Sequence, residues 1–594
     1  MNFKKLILAG AVSAMALATT FADDLGSFDS FGTDSFDSGF GFGDSSASAL
    51  SVSGKAWIDM RGYLNPNGTS SDDYKLFDDV QVKVLPSAKL NLEYSGSMSD
   101  VLLALKVDEN TIKNHPVDVI DELALRGYFG NFSLEAGKMK LVWGKGDKLH
   151  VLDNFNADDY TDFIIPDYID RRLSTPMVRA AYSFGGANLN LEAVYAPFLT
   201  VDRFATSGVW VPAAYNKLSG EVKTRATSKV ADAFAAYTKA SASAGTLNAL
   251  AAEYQAAAGA YKTASDKKTA VDAAVAAGQG SATDSATGMT YTQLQGYLAT
   301  KVSEYESLKT ATQAAYDGAV AQIGYGADKA EEKTTQAGSA YMYALNNANS
   351  LNSDPDMIYP DLKTLKYGQF GTRLTGTFGS FDWGVSYYNG FYKQPSFNAV
   401  KLESWLNKYL AQGATSEDDK FLAYDRKQTF GLEAATTLWR FNLRGEAAYN
   451  LTEDVDGTDA FVHNNSVAWL GGFDIDLPFW NMNVNVQETG TAILKNDEIK
   501  SGLDVDYSEN AYTNNKFVVN VTTSFMNEKI LPEVTVLYGI ENGDLIVMPK
   551  FTYKPDQSLS LYVNGMYIYS KDDNSEFAAW KNNSFVNIGV SYQF

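Results

Sequence analysis

The residue types best suited to chemistry gather in one stretch, Leu141–Pro176, which reads LVWGKGDKLHVLDNFNADDYTDFIIPDYIDRRLSTP. Asp153, Asp158, Asp159, Asp162, Asp167 and Asp170 oppose Lys145, Lys148, Arg171 and Arg172. Interleaved Phe155, Tyr160, Phe163, Ile164, Ile165 and Tyr168 make the stretch too apolar for a freely solvated loop. Opposed charges fixed across a narrow path set up a transverse field, which sorts ions and polar solutes by sign and dipole. Lys145, Lys148, Asp158, Asp159, Asp162, Arg171 and Arg172 are therefore the candidate constriction residues. Two placements suit such a loop: folded back into a barrel lumen, or packed outside on the rim or against a helical insert.

Other chemistries find little support. His115, His150 and His463 are the only histidines and lack ligand spacing, so no transition-metal site is expected. The aspartates of 153–162 contain no DxDxDG calcium loop, and no GxSxG nucleophile elbow occurs. Neither an enzyme nor a bound cofactor is expected. A net charge of -22 would repel nucleic acid, which is excluded as a partner. The absence of cysteine removes both a disulfide framework and a thiol for lipid attachment.

The elements that must position this loop are read from hydropathy. Met1 to about Ala22 pairs a cationic start (Lys4, Lys5) with an apolar run and small residues, the layout of a cleaved export signal. Residues 23–49 repeat Phe among Gly, Ser and Asp and are expected to form a low-complexity periplasmic tail. No later window holds the roughly 18 apolar residues of a spanning helix. From about residue 50 the period is two instead. Leu90, Leu92 and Tyr94 alternate with Lys89, Asn91 and Glu93, and Leu189, Leu191, Ala193 and Tyr195 with Asn188, Asn190 and Glu192. Phe441, Leu443, Gly445, Ala447 and Tyr449 alternate with Asn442, Arg444, Glu446 and Asn450. Val586, Ile588, Val590, Tyr592 and Phe594 close the chain against Phe585, Asn587, Gly589, Ser591 and Gln593.

Segments of this kind, about ten residues long, satisfy every backbone hydrogen bond in lipid only when they close into a barrel. The pattern predicts an all-β transmembrane antiparallel β-barrel of about eighteen strands, range 14–18, built from residues 50–211 and 357–594. Short joints at SMSD (97–100), GN (130–131), GGAN (185–188), GSFD (379–382), WR (439–440) and KPDQ (554–557) are expected on the periplasmic side, with the longer connections outside.

Between the two barrel parts, residues 212–356 are Ala-rich and switch to a helical period. Leu294, Leu298, Val302, Tyr305, Leu308, Thr312, Tyr316, Ala319 and Ile323 form one stripe, and Leu247, Leu250, Tyr254 and Tyr261 another, with a break at Gly278–Gly288. This predicts an extracellular α-helical hairpin or small bundle, carried on a single loop.

The closing aromatic pattern, with Tyr592 and Phe594, resembles the signal read by the barrel-assembly machinery of the outer membrane. WGKGD (143–147), NADDYTDF (156–163) and PDYIDRR (166–172) resemble an uncharacterised porin-like barrel family of spirochaetes and other diderm bacteria. The resemblance spans most of 50–200 and 358–594, leaves the helical insert outside, and implies an outer-membrane barrel. Together these features point to a passive channel or substrate-specific porin for small solutes, seated in outer-membrane lipid. The alternative is a surface adhesin or structural protein in which the barrel is an anchor and the insert binds a host or surface ligand.

Overall fold

A computed structural model describes residues 49–594 except 71, 72, 148, 187, 354, 510 and 572–574. The export signal, and the low-complexity tail up to residue 48, lie outside the described residues. Eighteen strands form the main sheet: β1 (Ala49–Tyr63), β2 (Gln81–Ser95), β3 (Ser99–Val107), β4 (Ile120–Phe129), β5 (Phe132–Met139), β6 (Thr175–Phe184), β7 (Leu189–Ala196), β8 (Gln369–Phe378), β9 (Phe381–Phe391), β10 (Arg426–Leu438), β11 (Phe441–Thr452), β12 (Ser466–Asp476), β13 (Asn483–Ile493), β14 (Thr513–Thr522), β15 (Ile530–Gly539), β16 (Leu545–Tyr553), β17 (Leu559–Tyr569) and β18 (Phe585–Gln593). Each pairs antiparallel with its sequence neighbour. β1 then pairs with β18, from Lys55 opposite Gln593 to Tyr63 opposite Phe585, so the sheet closes and leaves no edge.

The surface is inside out relative to a water-soluble protein. Val586, Ile588, Val590 and Tyr592 are exposed, whereas Asn587 and Ser591 between them are buried. Leu123 and Leu125 are likewise exposed and Arg126 buried; Leu191 is exposed and Glu192 buried. Period-two alternation places each apolar set on the outer wall and each polar set on the lumen, the distribution that hydrocarbon outside and water inside select. Exposed aromatic residues mark both rims of the apolar band. Phe129, Phe132, Phe378, Phe381 and Trp439 lie at the short-turn end, and Tyr195, Phe370, Phe430, Tyr449 and Tyr538 towards the other.

Connections alternate in length as the sequence indicates. Gly130 and Asn131 alone join β4 to β5, and Trp439 and Arg440 alone join β10 to β11. Gly130 adopts φ 65° without penalty, while Trp439 takes φ 57° with a side chain present, a position that costs roughly 1 kcal/mol.

The helical insert holds three helices, α1 (Ala213–Ala274), α2 (Tyr291–Ile323) and α3 (Ala327–Ser353). Residues 220–357 and 403–419 form a compact unit of their own. Gln295 donates to Asp272 (2.8 Å) and Tyr237 stacks on Tyr341, so α2 and α3 together run back along α1. Leu247, Leu294 and Leu298 are buried as the stripes predict. Two features depart from the periodic reading. The helical run breaks a second time at Gly324, whose φ of 90° lets its N–H cap the Val320 carbonyl. Leu308, assigned to the packed stripe, is exposed. A further helix, α4 (Ala399–Gln412), lies in the β9–β10 connection, which the strand pattern leaves without structure; its Glu403 pairs with Arg225 and Lys229 of α1. No described helix is long and apolar enough to cross a membrane.

A charge placed on the outer wall must be dehydrated by lipid, whereas one on the lumen wall stays wet. Ile588→Arg is expected to lower the unfolding free energy in lipid vesicles by about 2–4 kcal/mol. Ser560→Arg, facing inward from β17, is expected to change it by less than about 1 kcal/mol. Urea titration of vesicle-reconstituted protein followed by tryptophan fluorescence measures both.

Candidate solute constriction

β5 stops at Met139, before Trp143, and the chain turns into the lumen until β6 begins at Thr175. The inner wall receives this 140–174 segment on all sides. Trp143 donates from Nε1 to Glu192 of β7 (2.6 Å) and packs edge-on against Phe155, which meets Tyr388 of β9 in the same way. Asp147 accepts from Asn485 of β13 (2.8 Å) and lies 3.3 Å from Arg444 of β11. Asp162 takes a bidentate pair of hydrogen bonds from Arg61 of β1 (2.6 and 3.0 Å), and Asp170 pairs with Lys89 of β2. Phe163 and Ile164 join an apolar cluster with Val518, Leu537, Ile546, Met548, Met566, Ile568 and Phe585, all inward residues of β14–β18. Of the two placements that composition allows, the chain adopts the inward one, and the loop crosses the lumen.

Its own charges divide into two groups. Asp153, Asp158, Arg171 and Arg172 form a frame inside the loop. Arg172 reaches Asp153 (2.7 Å) and Asp158 (3.3 Å), Arg171 lies 3.6 Å from Asp158, and the hydroxyls of Tyr168 and Tyr160 donate to Asp153 and Asp158. Arg171 has 0% of its surface exposed. Burial pushes the Asp153 carboxyl above its usual range, against the pull of Arg172. Asn156 staples the two ends of the loop, accepting from Leu141 N (2.7 Å) and donating to Met139 O (3.0 Å) and Leu173 O (2.9 Å).

The second group meets solvent. Lys145 keeps 30% of its side chain exposed with only a 3.7 Å contact to Asp382, and Asp147 and Asp162 keep 32% and 37%. Of the sequence candidates, the structure therefore brings Lys145 and Asp162 to accessible lumen, buries Asp158, Arg171 and Arg172, and ties Asp159 to Arg203 (3.1 Å). Lys148 lies outside the described residues. Burial acts to raise the Asp170 carboxyl, but the ammonium groups of Lys89, Lys140 and Lys106 outweigh it and hold Asp170 at about 2.

The wall around the loop carries a run of paired charges. Arg126 pairs with Glu135 (2.8 Å), which Arg179 also reaches (3.3 Å) before binding Glu192 (2.6 Å), a chain across β4–β7. Arg373 binds Glu433 (2.6 Å) and Arg444 binds Asp474. On β13–β18 the inward positions mix the amides Asn485, Gln487, Asn520, Asn564 and Asn587 with charged Lys516, Glu533 and Lys550. The period-two pattern places Glu192, Arg444 and Glu446 inward, but nothing local in the chain links them to the loop.

A second inward segment lies against the first. Arg203 and Phe204 pair in parallel with Asp159 and Tyr160, and Trp210 stacks on Phe163 at 4.8 Å while donating to Tyr63 OH (3.0 Å). Outside the loop, three long connections meet at His463. Its Nδ1 lies 2.8 Å from Asp506, and its backbone N–H donates to Asp425 (2.9 Å). Burial alone would lower this imidazole, but Asp506, Asp425 and Asp504 raise it to about 9. Burial and Asp506 push the Asp504 carboxyl up to about 6. Among the described residues no group of carboxylates and histidines is arranged to hold a metal.

A family model described as "Protein of unknown function (DUF1302)" matches residues 121–474, more than half of the chain and including the helical insert. No curated protein matches the sequence. Pseudomonas aeruginosa OpdQ is similar with a TM-score of 0.36 at 9% identity, over 92% of this chain and 97% of that one. A BenF-like porin from Pseudomonas fluorescens Pf-5 gives a TM-score of 0.37 at 9% identity, over 92% and 98%. Pseudomonas aeruginosa OccK2 (OpdF), in complex with glucuronate, gives 0.37 at 9% identity over the same shares.

The His463 pairing is expected to make the order of these three connections pH-dependent. A raised imidazole stabilises the folded arrangement fully below about 6.5 and stops doing so as pH rises through about 9. Asp504 titrates around pH 6, below most of that window, and leaves the window to His463. Amide exchange in 453–465, corrected for intrinsic rates, is expected to accelerate between pH 7 and 10, and His463→Gln is expected to flatten the profile.

Proposed function

The chain belongs to the DUF1302 family, and we propose that it is an outer-membrane porin that admits small polar solutes by passive diffusion past the 140–174 loop. The observation that carries this reading is the loop's division of labour: a buried ionic frame holds its shape, while Lys145, Asp147 and Asp162 keep accessible charges in the lumen. The belt of paired arginines and carboxylates on the inner wall supports a wet path flanking the loop.

The same proposal includes a diderm, spirochaete-type host, export by the N-terminal segment, and insertion by barrel-assembly machinery that reads lipid-facing Tyr592 and Phe594. It places the helical insert outside the cell. The compact helical unit of 220–357 and 403–419 favours a second task beside conduction, the binding of a surface ligand. Deleting 220–350 separates the two, because conductance then persists while ligand binding is lost.

Purified protein is expected to conduct in planar bilayers, and failure to conduct any of a panel of ions, sugars and amino acids overturns the channel reading. One accessible charge near a permeant at partly screened range is worth about 1 kcal/mol, or about fivefold in relative permeability. Asp147→Asn is therefore expected to shift the cation-to-anion permeability ratio about fivefold towards anions, and Lys145→Gln the opposite way. Asp158→Asn, within the buried frame, is expected to loosen the loop without that directional shift.

A further inference from the structure

The tip of the loop is held by one carboxylate of the opposite wall. Glu446 points inward from the middle of β11, and its side chain has no exposed surface. Its Oε1 accepts from Lys145 N (2.7 Å) and Gly146 N (2.6 Å) and lies 3.0 Å from His150 Nδ1, while Oε2 accepts from Val151 N (2.8 Å). Successive backbone N–H groups curled around an anion form a nest, and these bonds are charge-assisted.

WGKG is the sequence that makes this nest. Gly144 sits at φ 122°, where a Cβ would fall 2.3 Å from Glu446 Oε1 and 2.6 Å from His150 Nδ1. A Cβ on Gly146 would fall 1.8 Å from the Leu149 carbonyl oxygen. Between the two glycines stands Lys145, and directly after them Asp147, the two charges the loop tip offers to the lumen.

Glu446 has reason to keep hold. Its register partner on β10 is Glu433, so two inward carboxylates face each other across neighbouring strands. Arg373 neutralises Glu433, and Arg444 is engaged by Asp474 and Asp147. The loop's N–H dipoles and His150 are what Glu446 is left with. Withdrawing the tip would forfeit these charge-assisted bonds and leave only lumen water to replace them.

We infer that Glu446 is the positioning residue of the constriction: by clasping the Gly144–Val151 turn it sets where Lys145 and Asp147 stand, and so sets the permeability ratio without touching a permeant. This rests on the channel reading for its consequence, though the clasp itself does not.

Amide hydrogen exchange at Lys145, Gly146 and Val151 reads the clasp independently of conduction. In detergent-solubilised full-length protein whose heat-modifiable migration shows a closed barrel, Glu446→Ala is expected to accelerate that exchange at least tenfold and to collapse the Asp147- and Lys145-dependent selectivity. Glu446→Gln, which retains an acceptor oxygen, is expected to fall between Glu446→Ala and the unaltered chain. Gly144→Ala is expected to mimic Glu446→Ala in both readouts. A closed Glu446→Ala barrel with unaltered exchange overturns the clasp. Faster exchange with unaltered selectivity overturns its role in the constriction. Unaltered protein that does not conduct overturns the channel reading while leaving the exchange result to judge the clasp.

Discussion

Hydrocarbon on the outer wall is the constraint from which the rest follows. Backbone groups in lipid must bond within the sheet, which forces closure, and outer side chains must be apolar, which leaves the lumen to receive the polar half of each strand. A lumen lined by Arg126, Glu135, Arg179, Glu192, Arg373, Glu433, Arg444 and Asp474 is stable only because these charges pair with their neighbours. Unpaired, each would lose hydration to the crowded wall without recompense.

Where that rule is broken, the reason is the loop. Inward Val518, Leu537, Ile546, Met548, Met566 and Ile568 are apolar on the face that ought to be wet, and the loop's Phe163 and Ile164 cover them. Apolar inward positions and an apolar loop are two halves of one core, which lies in the lumen. In β14–β17 this makes strands apolar on both faces, as in LIVM at 545–548 and MYIY at 566–569.

That signal shows what was legible in the chain and what was not. Strand positions and short joints such as GN at 130–131 are written locally, in a period of two and in turn residues, so reading them requires no knowledge of partners. The loop's inward course rests on pairings such as Arg61 with Asp162 and Lys145 with Glu446, which join residues 101 and 301 positions apart. Composition marks the loop as charged and apolar, but it does not distinguish Asp158, sealed against Arg172, from Asp147, open to the lumen. α4 escaped the pattern because a 14-residue helix within a connection leaves no mark on the strand rhythm around it. Leu308 kept the helical spacing yet stayed exposed, since spacing names a face and not what covers it.

The pairing of lumen charges also decides what kind of selectivity such a path can have. A chain with a net charge of -22 would, by its long-range field, favour cations in a way that salt removes within about 8 Å at physiological ionic strength. The belt is different, since each guanidinium has a carboxylate beside it and the fields cancel beyond a few ångströms. Discrimination by Lys145 and Asp147 then acts only on a solute in contact with the loop tip, where little electrolyte intervenes. Such discrimination survives salt, depends on the position of two side chains to within a fraction of their length, and so demands a loop whose backbone is held as firmly as the nest around Glu446 holds it.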